Sequence, residues 1–336
     1  MTNTLLRSRT RPKNRRPIAT LIRRRTVQGL ITLVVVSLLV FWATQLLPGN
    51  AANAVLGRSA TPQTLAALQN QLGLDKPLPV QYLSWLLHLV TGRPGHSLVN
   101  GDPVTHVVAD RLVNSAVLVV LAGAIGTVIG VALGLYAAAR RDRLFDHLSS
   151  IVALTVSALP EFIVAVGLIL LFATSVFKIL PATSPIAPGT SPWSQPNLLV
   201  LPVATLVLVI VPYIFRLVRA VTSEHLESDY VQTARLKGLP ERDVLIRHVL
   251  PNVVPAAVQA IGLSLLYLAG GVIVVEVVFD YPGIGQGLVS AVATRDIPVI
   301  QFLVMVLAVF YVVVNIGTDV ITLIATPRRR YAHGRG

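Results

Sequence analysis

The sequence predicts an all-α integral membrane protein with six transmembrane helices. Three observations carry that prediction. Hydrophobic residues make up 54% of the 336 positions and charged residues only 13%, with a mean hydropathy of +0.71. Charged residues run at about 25% in soluble domains. The apolar residues gather in long charge-free stretches such as Leu112 to Ala139 and His248 to Val275, and a helix needs about 20 of them to cross a ~30 Å hydrocarbon core. The stretches are continuous rather than alternating and too long for barrel strands. Finally, the basic residues are unevenly shared between the connecting segments.

The spans fall near 26–47, 112–139, 149–177, 198–220, 252–279 and 298–325. Of the 28 Lys and Arg residues, nine precede the first span, three lie at 140–143, six between Arg216 and Arg247, and four follow the last span. An even number of crossings puts all of these on one side. The other side keeps six: Arg58, Lys76, Arg93, Arg111, Lys178 and Arg295. This is the positive-inside pattern, so both termini are expected in the cytoplasm. The net charge of +13 therefore reflects topology rather than nucleic-acid binding, which would need basic and aromatic residues interleaved on one folded module. No cysteine occurs, which removes disulfides and thiolate metal sites.

Residues 1–25 form a basic cytoplasmic tail suited to anionic membrane lipid. The apolar run of 26–47 is longer than the ~7–15 residues of a signal-peptide core, so Ala52-Asn53-Ala54 is read as no cleavage site and the run as a retained anchor. Residues 48–111 form an external helical region. Thr61-Pro62 starts one helix, whose face of Leu65, Leu68 and Leu72 ends at Gly73. Pro79 to Val90 is a second, with Leu83, Leu86, Leu87 and Val90 on one side. His88, His96 and His106 lie here, but spacings of eight and ten residues match no chelate, and no metal site is expected.

Residues 112–325 make a five-helix core that includes a cytoplasmic loop at 221–251, and 326–336 form a second basic tail. In the second span Gly126, Gly130 and Gly134 share one face, where a neighbouring backbone can approach closely; they are read as helix packing. Acids inside hydrocarbon cost a few kcal/mol on insertion scales and usually face a bundle interior or water. Glu161 after Pro160 is expected mid-membrane, and Glu276 nearer the outer end, just before Asp280. These three are candidates for a translocation pathway. Asp319 is expected to make a packing or snorkelling contact. Gly283-Ile284-Gly285-Gln286-Gly287 resembles a dinucleotide fingerprint, but no strand precedes it, and it is read as a flexible outer turn.

The most informative stretch is Asp229-Tyr-Val-Gln-Thr-Ala-Arg-Leu-Lys-Gly238, with Leu250-Pro251 twelve residues later. It is a polar helix-forming segment between two spans. Gly238 can take the left-handed conformation that ends a helix, and Pro240 prevents continuation. Such a helix, fixed by membrane spans on both sides, suits docking onto another protein. No P-loop occurs anywhere in the chain, so a transporter of this sequence must take its energy from elsewhere. An ion-driven transporter would show a repeat-symmetric pair of broken spans, whereas only Pro160-Glu161 hints at one.

The spacing of Gln232-Thr233-Ala234, Gly238 and Leu250-Pro251 resembles the EAA loop of bacterial ATP-binding-cassette (ABC) importer permeases, with the Glu and first Ala replaced. Leu47-Pro48-Gly49, the run from Gln71 to Tyr82, and Val278-Phe279-x-Tyr281-Pro282-Gly283-Ile284-Gly285 are similar to B-type permease subunits of dipeptide and oligopeptide importers. The likeness covers roughly residues 26 to 331. Thr326-Pro327-Arg328 departs from the usual Asp-Pro-Arg, the basic N-terminal extension is long, and the Pro-rich 181–196 loop is distinctive. The resemblance implies a type I ABC importer permease fold, multi-pass in the inner (plasma) membrane. It implies a second related permease subunit, two ATP-binding subunits that bind ATP and Mg while this chain carries no cofactor, and an external substrate-binding protein. It assigns ATPase coupling to Asp229, Tyr230, Gln232, Thr233, Ala234, Lys237, Gly238, Leu250 and Pro251. Nickel and glutathione importers share the architecture, so they stand as alternatives to a peptide substrate.

Overall fold

A computed structural model describes residues 17–46 and 76–325. The expected helix from Thr61 to Gly73 and the Leu47-Pro48-Gly49 motif lie outside the described residues, as do 1–16 and 326–336. Among the described residues the regular structure is helical, with one isolated bridge between His96 and Pro103. The helices are α1 Pro17–Gln45, α2 Leu78–Val90, α3 Val104–Ala139, α4 Leu144–Ser157, α5 Glu161–Ile169, α6 Pro196–Leu226, α7 Asp229–Leu236, α8 Leu250–Val278, α9 Ile284–Thr294 and α10 Ile297–Ala325. A widened π turn, Leu170–Thr174, prolongs α5, and another, Val244–Val249, leads into α8.

Five helices are long and apolar enough to cross a membrane, and the α4–α5 pair makes a sixth crossing if counted as one. The expected third span over 149–177 is therefore corrected: it is two half-helices bent by 103°. Pro160 causes the break. It has no N–H to give to α4, and it holds Leu159 out of helical geometry. Several boundaries also move. The first helix begins at Pro17 rather than near 26, because Ala19, Leu21 and Arg23 to Arg25 are good helix formers and Arg25 gains an ion pair with Asp319 of α10 at 2.6 Å. The second span begins at Val104 rather than near 112, and the loop expected at 221–251 shortens, since α6 runs to Leu226 and helix resumes at Glu241.

The core sits between α3, α6 and α8, with α3 on α6 the most extensive pair. Glycine makes that pairing close. A Cβ at Gly130 would stand 2.8 Å from Cβ of Ile214, and one at Gly134 would stand 2.9 Å from the Phe215 carbonyl oxygen. Gly126 faces Ile210 in the same way. Around this core α1 packs on α10, where buried Gln301 donates to Thr44 at 2.8 Å. Over α1 lies α2, with Tyr82 and Trp85 against Phe41 at ring separations of 5.4 and 5.9 Å.

Candidate functional site

The helix α7 stands at the end of the bundle where α6 stops and α8 begins. Its two buried residues, Val231 and Ala234, are spaced to share one helix face, and both belong to the same continuous core as Val218, Val244, Val249 and Val253. Through these contacts α7 is built into the spans. Its other face is open: Asp229, Tyr230, Gln232, Thr233 and Lys237 are exposed. Leu236 is 90% exposed, an apolar knob with nothing packed on it among the described residues.

The helix ends where the glycine allows it to. Gly238 has φ +78°. Its N–H donates to the Arg235 carbonyl at 2.9 Å, and the Leu239 N–H donates to the Ala234 carbonyl at 3.4 Å. These are the paired bonds of a Schellman ending. Arg235 then fastens both flanks: Nε and Nη2 donate to the Glu241 carboxylate at 2.7 and 3.1 Å, and Nη1 donates to the Leu226 carbonyl at 3.3 Å. Tyr230 adds a second tie, with its hydroxyl 3.2 Å from Nδ1 of His225 in α6 and accepting from Asn252 of α8 at 3.3 Å. Of the remaining motif positions, Leu250 is half-buried and Pro251 exposed at the start of α8. Thus the structure gathers the motif residues at one end. The ties through Val231, Arg235 and Asn252 and the knob at Leu236 were missed by the sequence reading. The i, i+3 spacing of Val231 and Ala234 was a usable signal. Arg235 and Asn252 had none, since their partners are set by tertiary structure.

The three pathway candidates part company. Glu276 is 0% exposed and does not line an open path. It accepts from the Gly285 N–H at 2.7 Å, the Gln286 N–H at 3.2 Å and the Ser115 hydroxyl. Ser115 in turn accepts from the Ile284 N–H at 2.7 Å. The carboxylate and the serine together satisfy the free N–H groups at the start of α9. The glycine-rich run read as a flexible turn is therefore the buried N-terminus of a helix. A Cβ at Gly283 would overlap the Glu276 carboxyl, and one at Gly285 would overlap the backbone of Ile273. Next to this cap Asn114 donates to the Pro282 carbonyl at 2.9 Å, and Tyr281 donates its hydroxyl to the Asn114 carbonyl at 3.0 Å. Burial first, and the Glu276 carboxylate second, push the Tyr281 phenol pKa upward, which keeps it a donor. Asp280 is exposed at φ +52° and accepts from Gln286 at 2.6 Å. Glu161 is partly exposed at the first position of α5 and lies against α8 at Gly271.

The chain is similar to known proteins along nearly all of its length. Residues 130–331 match the family "Binding-protein-dependent transport system inner membrane component", and residues 18–119 match the N-terminal family of the same systems. A probable peptide ABC transporter permease protein of Sinorhizobium fredii is 33% identical over 312 residues, covering 92% of this chain and 99% of the relative. The glutathione transport system permease protein of Salmonella paratyphi A is 36% identical over 305 residues, covering 90% of this chain and 96% of the relative.

Proposed function

The chain belongs to the family of binding-protein-dependent transport system inner membrane components, and on that footing we propose how it works: as a peptide-import permease subunit that lines half of the path and takes its energy from two cytoplasmic ATP-binding subunits. The observation that carries this reading is α7, a polar helix with a glycine-defined end whose inner face is continuous with the core of the spans and whose outer face is bare. A force on the outer face reaches α6 and α8 through Val231, Ala234, Arg235 and Tyr230. ATP binding would draw two such helices together, one from this chain and one from a second, related permease. The spans would then rock to open the path towards an external binding protein. The Sinorhizobium relative's peptide label supports a peptide cargo, and the Salmonella relative's glutathione label names a substrate that is itself a small peptide.

The α7 end is assigned to the cytoplasm by the excess of Lys and Arg on its side. Reporter fusions within 228–245 are expected to read cytoplasmic and fusions within 284–296 external; the reverse pattern would overturn the orientation. Function is tested by peptide uptake into proteoliposomes carrying the purified assembly. Uptake is expected to require ATP and to persist when ion gradients are collapsed. Uptake driven by an ion gradient without ATP would contradict the reading.

A further inference from the structure

Half-way along the spans lies a polar wall that docking at α7 does not use. Tyr213 of α6 and Tyr267 of α8 meet with ring centroids 5.4 Å apart, and are 43% and 42% exposed. Tyr213 lies near the middle of the 31-residue α6 and Tyr267 near the middle of the antiparallel 29-residue α8, so both sit inside a ~30 Å core. One turn further along the same face of α8 from Tyr267 lies Gly271. Glu161 is placed there by the 103° bend, with Oε1 3.6 Å from where a Cβ on Gly271 would stand. Below the two rings is a cleft of about 370 Å³, which Ser264 also lines. The Ser264 hydroxyl is buried and has no hydrogen-bond partner among the described residues. A buried orphan of this kind calls for a missing partner.

Tyr213 and Leu217 also line an adjoining cleft of about 750 Å³ nearer α7. Two arginines border it. Arg219 is held by a two-pronged contact with Asp146, one bond at 2.6 Å. Arg216 is exposed and has no ion-pair partner among the described residues. Arg216, counted with the cytoplasmic-side basic residues, stands at the inner end of the span with its guanidinium free to take an anion. It lies one helical turn from Tyr213 on the same face of α6, about 4.5 Å along the axis.

We propose that this wall reads the two charged ends of a free peptide: Glu161 with Tyr213 and Tyr267 takes the substrate's ammonium, and Arg216 takes its carboxylate. The inference rests on the peptide reading above. An ammonium has three donors and no acceptor, and meets a carboxylate, two phenol oxygens and two ring faces. A carboxylate meets a guanidinium, its best-matched cation. The Ser264 hydroxyl supplies a further bond to whatever fills the cleft. A divalent metal would find one carboxylate here, too few ligands for a hard cation.

The test uses the complete assembly with its binding protein in proteoliposomes, given tri-alanine, its N-acetylated form or its C-amidated form at saturating concentration. All variants share one binding protein, so its own preference cancels in each variant-to-wild-type ratio. Glu161→Gln is expected to lower uptake of the free peptide about tenfold, the loss of one charged hydrogen bond, and to leave the acetylated peptide near its wild-type rate. Arg216→Gln is expected to do the same for the free peptide and to spare the amidated one. Recovery of ATP-binding subunits should be unchanged in both. Equal losses on free and blocked peptides would mean that the wall holds the broken helix or a second permease, and would overturn the inference, as would no loss at all. A wild-type assembly that imports none of the three overturns the peptide reading itself, and the inference with it.

Discussion

Gly238 joins the sequence motif to its physical cause. With φ +78° it occupies the left-handed region, and a Cβ there would meet nothing within 4 Å. The need for glycine is thus conformational and not one of space. Gly238→Val is expected to cost the fold only about 1 kcal/mol. It redirects the chain leaving α7, though, and so shifts Leu236, Lys237 and the Arg235–Glu241 tie together. Association with the ATP-binding subunits is expected to weaken about tenfold, or about 1.4 kcal/mol, with uptake falling in step. Gly238→Asn, which tolerates positive φ, should restore most of both. Membrane abundance, pull-down yield and uptake measured on the same cells check this. Normal docking and uptake in Gly238→Val would remove the role given to α7. Ala234 shows the other kind of constraint: it is 4% exposed and packs into the core, so its small size is what the site requires.

Among the helices, the α3–α6 contact depends on three small residues in a row. At Gly134 the obstacle to a side chain is the Phe215 carbonyl oxygen, part of the α6 backbone, so added volume must move a whole helix. Gly134→Val is expected to cost about 1–3 kcal/mol by overpacking, seen as a lowered Tm in detergent and reduced membrane abundance. Gly270→Ala, where a Cβ meets nothing within 4 Å, is expected to behave as wild type. Equal stability of the two variants would mean that the glycine stripe does not set helix spacing. The stripe was legible in the sequence because a period of four marks one helix face. The bend in α4–α5 was less so: Pro160 was visible, yet an apolar run reads the same whether it continues or turns by 103°. The start of α9 was not legible, since Glu276 caps it from another helix and glycine-rich runs look alike in turns and in tight helix contacts.

Taken together, the chain is a bundle with two features joined by α6 and α8: the polar helix α7 at one end, proposed to dock, and the tyrosine-lined cleft half-way up, proposed to meet substrate. Charge distribution and hydropathy revealed the crossings because water and hydrocarbon select residues without reference to tertiary detail. The α7 segment was legible as a helix because its helix-forming residues run up to a glycine that can take positive φ. The contacts that make it rigid were not, because Arg235 reaches Leu226 and Glu241, and Tyr230 reaches His225 and Asn252, only once the bundle has folded. The central claim is that this permease is powered through α7 by ATP-binding partners. Its most direct test is affinity purification of the tagged chain from membranes, followed by native mass measurement of the intact assembly. The expected mass corresponds to this chain, one related permease and two ATP-binding subunits, with the share of that full assembly reduced in Gly238→Val. Recovery of the wild-type chain alone, or with no ATP-binding subunit, from membranes that import peptide would contradict the claim.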